Sequence, residues 1–112
     1  MSDVLRQLTL ILEQRKNADP EQSYVADLHR KGLNKILEKV GEEATEVILA
    51  AKDADSTRNN SELIAETADL WFHCMVMLSH LGTDADEVIE ILRQRFDISG
   101  LTEKSSRQQK TQ

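Results

Sequence analysis

Apolar residues recur along the chain at helical spacing in five stretches. Val4, Leu5, Leu8, Ile11 and Leu12 line one face of a first helix, which Ser2 or Asp3 can cap and which runs to about Arg15. Residues 16–23, KNADPEQS, read as a loop, because the residue before Pro20 resists helix. A short helical piece from about Tyr24 to Lys31 then meets Gly32. Leu33, Ile36, Leu37, Val40, Ala44, Val47, Ile48 and Ala51 predict one helix of about 20 residues, with Gly41 inside it. Gly41 either marks the close approach of another group or is simply tolerated, at up to about 1 kcal/mol relative to alanine. Residues 53–60, DADSTRNN, read as a turn.

A fourth helix is expected over residues 61–81, with Ser61 as its N-cap and Gly82 ending it in the left-handed conformation. Thr83 or Asp84 caps a fifth, with Asp86 and Glu87 three residues further on respectively, in the manner of a capping box. Ala85, Val88, Ile89, Leu92 and Phe96 form its inward face. Residues 1–101 make one domain, and the tail 102–112, TEKSSRQQKTQ, has no large hydrophobe and is expected to fray.

The predicted fold is therefore all-α, an antiparallel bundle of four to five helices. One proline, four glycines and 30% charged residues suit helices better than a β-sandwich, and 4% aromatic content leaves the core to aliphatic side chains. The fourth helix is apolar on nearly every side of its run ADLWFHCMVML, the pattern of a buried helix. Covering it calls for a homodimer whose core is shared between chains.

A formal charge of −6 argues against general nucleic-acid or anionic-membrane binding, but leaves room for a small phosphorylated ligand carried by a metal. The one cysteine, Cys74, can form no intrachain disulfide and is expected to pack as a small hydrophobe in a reducing compartment. No basic segment followed by an apolar one opens the chain, and no apolar run approaches membrane-spanning length, so the expected location is cytoplasmic.

Two acidic segments carry the candidate chemistry. In GEEATE (residues 41–46) Glu43 and Glu46 stand three apart, as do Glu66 and Asp69 in ELIAETAD (residues 62–69), and that spacing puts each pair on one helix face. Glu62, Glu66, Asp69 and His73 fall within an arc of roughly 60° on an otherwise apolar helix. Any one of these acids taken alone reads as a solvated helix residue. Two helices joined by a short turn pack antiparallel, however, which can set Glu43 and Glu46 opposite Glu66 and Asp69. Crowded carboxylates need a positive charge to stay ionised, and oxygen donors suit Mg²⁺, with Mn²⁺ as a substitute. A cluster of that kind holds a cation that keeps several waters and binds phosphate oxygens.

A di-iron carboxylate bundle is disfavoured, because it needs a glutamate three residues before a histidine and Ala26, Leu70 and Met77 occupy those places. No Ser/His/Asp or Cys/His nucleophile pattern is present. His73 is either a satisfied core histidine or a residue orienting a carboxylate, the former being commoner. His29 and His80 read as surface or boundary residues. Lys31, Lys35, Lys39 and Lys52 are candidate phosphate contacts as well as ordinary solvated lysines, and Lys39 leads them, one turn before Glu43.

The runs SYVADLHRKGLNKILEKVGEEATEVILAAKD, ELIAETADLWFH and RQRFDISGLTEKSSR resemble the phosphoribosyl-ATP pyrophosphatase family of histidine biosynthesis, over about residues 4–107. E-x-x-E followed after 19 residues by E-x-x-D matches the wider all-α, MazG-like nucleotide pyrophosphatases. The KVGEEATEV stretch and the ISGL-x-EKSSR tail favour the histidine-pathway branch. The resemblance implies hydrolysis of the α–β phosphoanhydride of phosphoribosyl-ATP to phosphoribosyl-AMP and pyrophosphate. It implies Mg²⁺ held by Glu43, Glu46, Glu66 and Asp69, with Glu42 available to bind metal or activate water and Lys39 as a phosphate contact. It also implies a homodimer or larger even assembly. Asp97 departs from the pattern, since glycine is common there before I-S-G.

Two rivals share parts of these observations. One is a house-cleaning pyrophosphatase for damaged or excess dNTPs, with the same metal chemistry. The other is an acidic helical dimer that binds without catalysis and releases no pyrophosphate from any nucleotide.

Overall fold

In a computed structural model, which describes residues 3–98, the chain forms five helices, and no strand occurs among the described residues. They are α1 (Val4–Arg15), α2 (Tyr24–Lys31), α3 (Leu33–Thr57), α4 (Ser61–His80) and α5 (Ala85–Arg95). The expectations for Ser2 as a cap and for the tail 102–112 lie outside the described residues.

Local chemistry sets most of the boundaries. Ser23 caps α2, its hydroxyl accepting the Ala26 amide at 3.2 Å. Gly32, at φ 96°, breaks the path between α2 and α3 with a backbone conformation that side chains other than glycine rarely adopt. Gly82, at φ 83°, closes α4 as expected: its amide reaches the Ser79 carbonyl at 3.1 Å and the next amide, of Thr83, reaches Leu78 at 2.9 Å. Those two bonds are the Schellman pattern, which satisfies carbonyls left open at a helix end. Of the two candidate caps for α5, Asp84 is the one whose carboxylate accepts the Glu87 amide, at 3.2 Å, while Thr83 bonds the Glu87 side chain.

Three expectations need correcting. α3 has 25 residues and continues through Asp53–Thr57, which its polar composition marked as turn. Ala54 prolongs the buried face of Ala50 by one more turn, and the helix stops only at Arg58, held in the left-handed region at φ 63°. Asp3 occupies the N-cap position of α1 but makes no side-chain capping bond. Ser61 is the first residue of α4 rather than its cap, and Asn60 precedes it. Asp97 lies at φ 55°, so the departure from the family's glycine falls where glycine is most useful; aspartate is among the few side chains that tolerate that region.

α3 packs most extensively against α4, α2 lies on α3, and α1 touches α2, α4 and α5. Leu12, Val25, Leu28, Ile36, Met75, Val76 and Ala85 form the core, backed by Leu5, Leu8, Phe72 and Met77. α4 is buried on one side only within the single chain, leaving Ile64 67% and Trp71 57% exposed. The face expected to turn inward on α5 likewise leaves Val88, Leu92 and Phe96 exposed.

Candidate metal and phosphate site

The antiparallel pairing of α3 and α4 sets the acidic segments against one another. Glu43 of α3 and Glu66 and Asp69 of α4 each offer a carboxylate oxygen, and the three lie within 4.8 Å of one another. Glu43 and Glu66 are half-buried and Asp69 is exposed, so the group opens to solvent on one side. Partial burial, then the charges of Glu46, Asp69, Glu43 and Glu62, push the Glu66 carboxyl above its ordinary value. A carboxylate held up by its neighbours is one that a cation would relieve. Hard oxygen donors at this spacing fit a divalent ion such as Mg²⁺, whose oxygen ligands sit at about 2.1 Å. Glu43, Glu66 and Asp69 would hold it, with Glu46 the next carboxylate at hand.

Glu46 stands outside the group of three and is exposed, but it heads the like charges acting on Glu66. Glu42 is exposed and takes the Lys39 ammonium at 3.3 Å. That ammonium also lies 3.7 Å from Glu43. Burial alone would lower the Lys39 pKa, but its bond to Glu42 and the charges of Tyr24, Glu42 and Glu43 outweigh that and raise it above the ordinary 10.5. Lys39 is thus a fixed cation at the rim of the acidic group. Lys31 and Lys35 are paired instead with their own helical neighbours, Asp27 at 2.9 Å and Glu38 at 3.3 Å. Lys52 is exposed further along α3.

His73 is 5% exposed, a satisfied core histidine. Its Nε2 meets the Tyr24 hydroxyl at 2.8 Å and its Nδ1 meets the backbone carbonyl of Asp69, not the carboxylate, at 2.8 Å. Tyr24, which the sequence pattern does not single out, is thereby tied to α4. The residue is 49% exposed, but desolvation of its hydroxyl, outweighing Lys39 and joined by the charges of Glu43 and Glu42, raises the pKa of its phenol. The one available signal was its position just after the Ser23 cap, which fixes where the first residue of α2 stands. The thiol of Cys74 is half-buried and pushed up by burial, as an inert packing residue's would be.

Paired helices that bring three carboxylates within 4.8 Å of one another, with a lysine ammonium 3.7 Å from one of them, offer the oxygen donors a divalent cation takes and a positive charge suited to a phosphate oxygen. The family model described as phosphoribosyl-ATP pyrophosphohydrolase matches residues 5–96, and the chain belongs to that family. It is accordingly a hydrolase of histidine biosynthesis, a phosphoribosyl-ATP diphosphatase.

Proposed function

We propose that this chain cleaves the α–β phosphoanhydride of phosphoribosyl-ATP, releasing phosphoribosyl-AMP and pyrophosphate, with Mg²⁺ held by Glu43, Glu66 and Asp69 and supported by Glu46. The observation that carries the reading is the convergence of the three carboxylates within 4.8 Å across α3 and α4. When bound, the cation would supply charge to polarise the phosphoanhydride and to neutralise the departing pyrophosphate. Lys39 stands ready to bind a phosphate oxygen, and exchanging Glu42 for phosphate costs little because that ion pair is partly exposed to water. Glu46, and Glu42 once phosphate takes its place on Lys39, are exposed carboxylates at the edge of the group that can accept the proton of the attacking water.

Mg²⁺-dependent release of pyrophosphate from phosphoribosyl-ATP, with little from a panel of dNTPs, is the expected result of incubating the protein with each. Preference for a dNTP would turn the reading into a house-cleaning pyrophosphatase, and no release from any nucleotide would leave a binding module.

The working unit in this proposal is a homodimer, or a larger even assembly, acting in the cytoplasm. The single chain's radius of gyration of 16.9 Å, against about 13 Å for a compact domain of this length, supports a core completed by a second copy. So does an apolar groove lined by Leu5, Trp71, Cys74, Met77, Val88 and Leu92. None of the described helices is long and apolar enough to cross a membrane.

A further inference from the structure

α2 contributes no carboxylate to the acidic group, yet its first residue reaches the helix that does. The Tyr24 hydroxyl lies 2.8 Å from His73 Nε2, and His73 Nδ1 lies 2.8 Å from the Asp69 carbonyl. A carbonyl can only accept, so Nδ1 carries the hydrogen. In the neutral form of the ring Nε2 is then bare, and the Tyr24 hydroxyl donates to it. The result is a chain with one direction, from the Tyr24 O–H through the imidazole to the main chain of Asp69. His73 is buried, and both of its nitrogens are satisfied. The Tyr24 ring meets the His73 ring edge-on with centroids 5.7 Å apart, and lies nearly parallel to Phe72 at 6.2 Å.

What this chain grips is the turn of α4 that presents Asp69, with Glu66 one turn earlier. Like charges across the α3–α4 seam push that turn away from Glu43. A brace from α2, independent of the charged groups, opposes the movement. We propose that Tyr24 and His73 are positioning residues for the hydrolysis, holding the Glu66–Asp69 turn at the distance from Glu43 and Lys39 that a metal-bound phosphate requires. The proposal rests on the reading of the carboxylates as the cation site.

Tyr24→Phe tests it, because it deletes one hydroxyl and keeps the ring that packs on Phe72 and His73. Mn²⁺ titrated into the nucleotide-free protein, read by calorimetry, is the first readout. The affinity should fall by about 2- to 30-fold, the range over which residues that touch no ligand modulate a site. With phosphoribosyl-ATP at saturating Mg²⁺, kcat should fall while KM changes less. The double variant Tyr24→Phe/His73→Gln should be no worse than the poorer single variant, since both break one chain. Imidazole ¹⁵N spectra of the wild type should show His73 protonated at Nδ1, with the Nε2 signal shifting in Tyr24→Phe. Wild-type metal affinity and kcat in a folded Tyr24→Phe, or the opposite tautomer at His73, would overturn the proposal while leaving the cation site standing. A wild-type protein that neither binds Mn²⁺ nor releases pyrophosphate would remove the cation site and the proposal together.

Discussion

Gly41 stands inside α3 immediately before the acidic residues Glu42 and Glu43, and a methyl group added there would meet nothing within 4 Å. Of the two roles open to it, close approach of another group finds no support within the chain. Its backbone freedom then only weakens the helix, so Gly41→Ala should stabilise the protein by about 0.5–1 kcal/mol. Urea unfolding would measure that, and a loss of stability would mean that the space is filled by something beyond this chain. The acidic residues themselves were legible, because three-residue spacing on a helix states which side chains share a face. Tyr24 was not, since its hydrogen bond joins residues 49 apart, set by how α2 crosses α4. Lys39 already led Lys31 and Lys35 in the sequence, one turn before Glu43, and their partners agree: Lys39 pairs with Glu42 and lies near Glu43, while the other two pair with Asp27 and Glu38.

Between α1, α2 and α4 lies a second polar cluster, built around His29 and His80, which the sequence placed at the surface or boundary. His29 Nδ1 faces His80 Nδ1 at 2.9 Å, and the ring centroids, 5.1 Å apart with planes 18° from parallel, set nitrogen toward nitrogen. His29 Nε2 is buried without a partner, which is tolerable for a bare lone pair and costly for an N–H. Nδ1 of His29 therefore carries the hydrogen and donates to His80. Alongside, Ser79 Oγ donates to Glu13 at 2.8 Å and the Lys16 ammonium donates to the Ser79 carbonyl at 2.6 Å. Burial, His80 and Lys16 lower the His29 pKa below its ordinary 6.5, and Glu13 opposes them only in part. The neutral ring is thus the form the fold prefers. Its stabilisation is complete above pH 6.5 and is lost as the pH falls from there through the depressed folded value. Thermal midpoints should drop across that window, and His29→Leu should flatten the drop. Glu13, held below 4.5 chiefly by Ser79, adds a separate loss at lower pH. An equally steep decline in His29→Leu as the pH falls below 6.5 would refute the assignment.

For the molecule as a whole, helical spacing gave the order of the helices, and the loop around Pro20, Gly32, Gly82 and the Thr83–Asp84 cap gave most of their ends. The end of α3 escaped because composition outvoted the continuing Ala50–Ala54 face, and no breaker intervenes before Arg58. The all-round apolar pattern of α4 describes more burial than one chain provides, with Ile64 and Trp71 open to solvent. The sequence reading assigns that cover to a second copy of the chain, although periodicity shows only that the surface needs covering. Sedimentation equilibrium should return at least twice the chain mass, and a monomer at micromolar concentration would contradict the shared core.

Asp69→Asn tests the central claim most directly, through pyrophosphate release from phosphoribosyl-ATP at saturating Mg²⁺. It keeps the shape of the side chain and removes one charge from the group. The predicted result is a loss of turnover of about 100-fold or more, in a protein whose metal-free melting temperature is unchanged or higher because a like-charge contact has been relieved. Turnover at the wild-type rate would contradict a cation held between Glu43, Glu66 and Asp69.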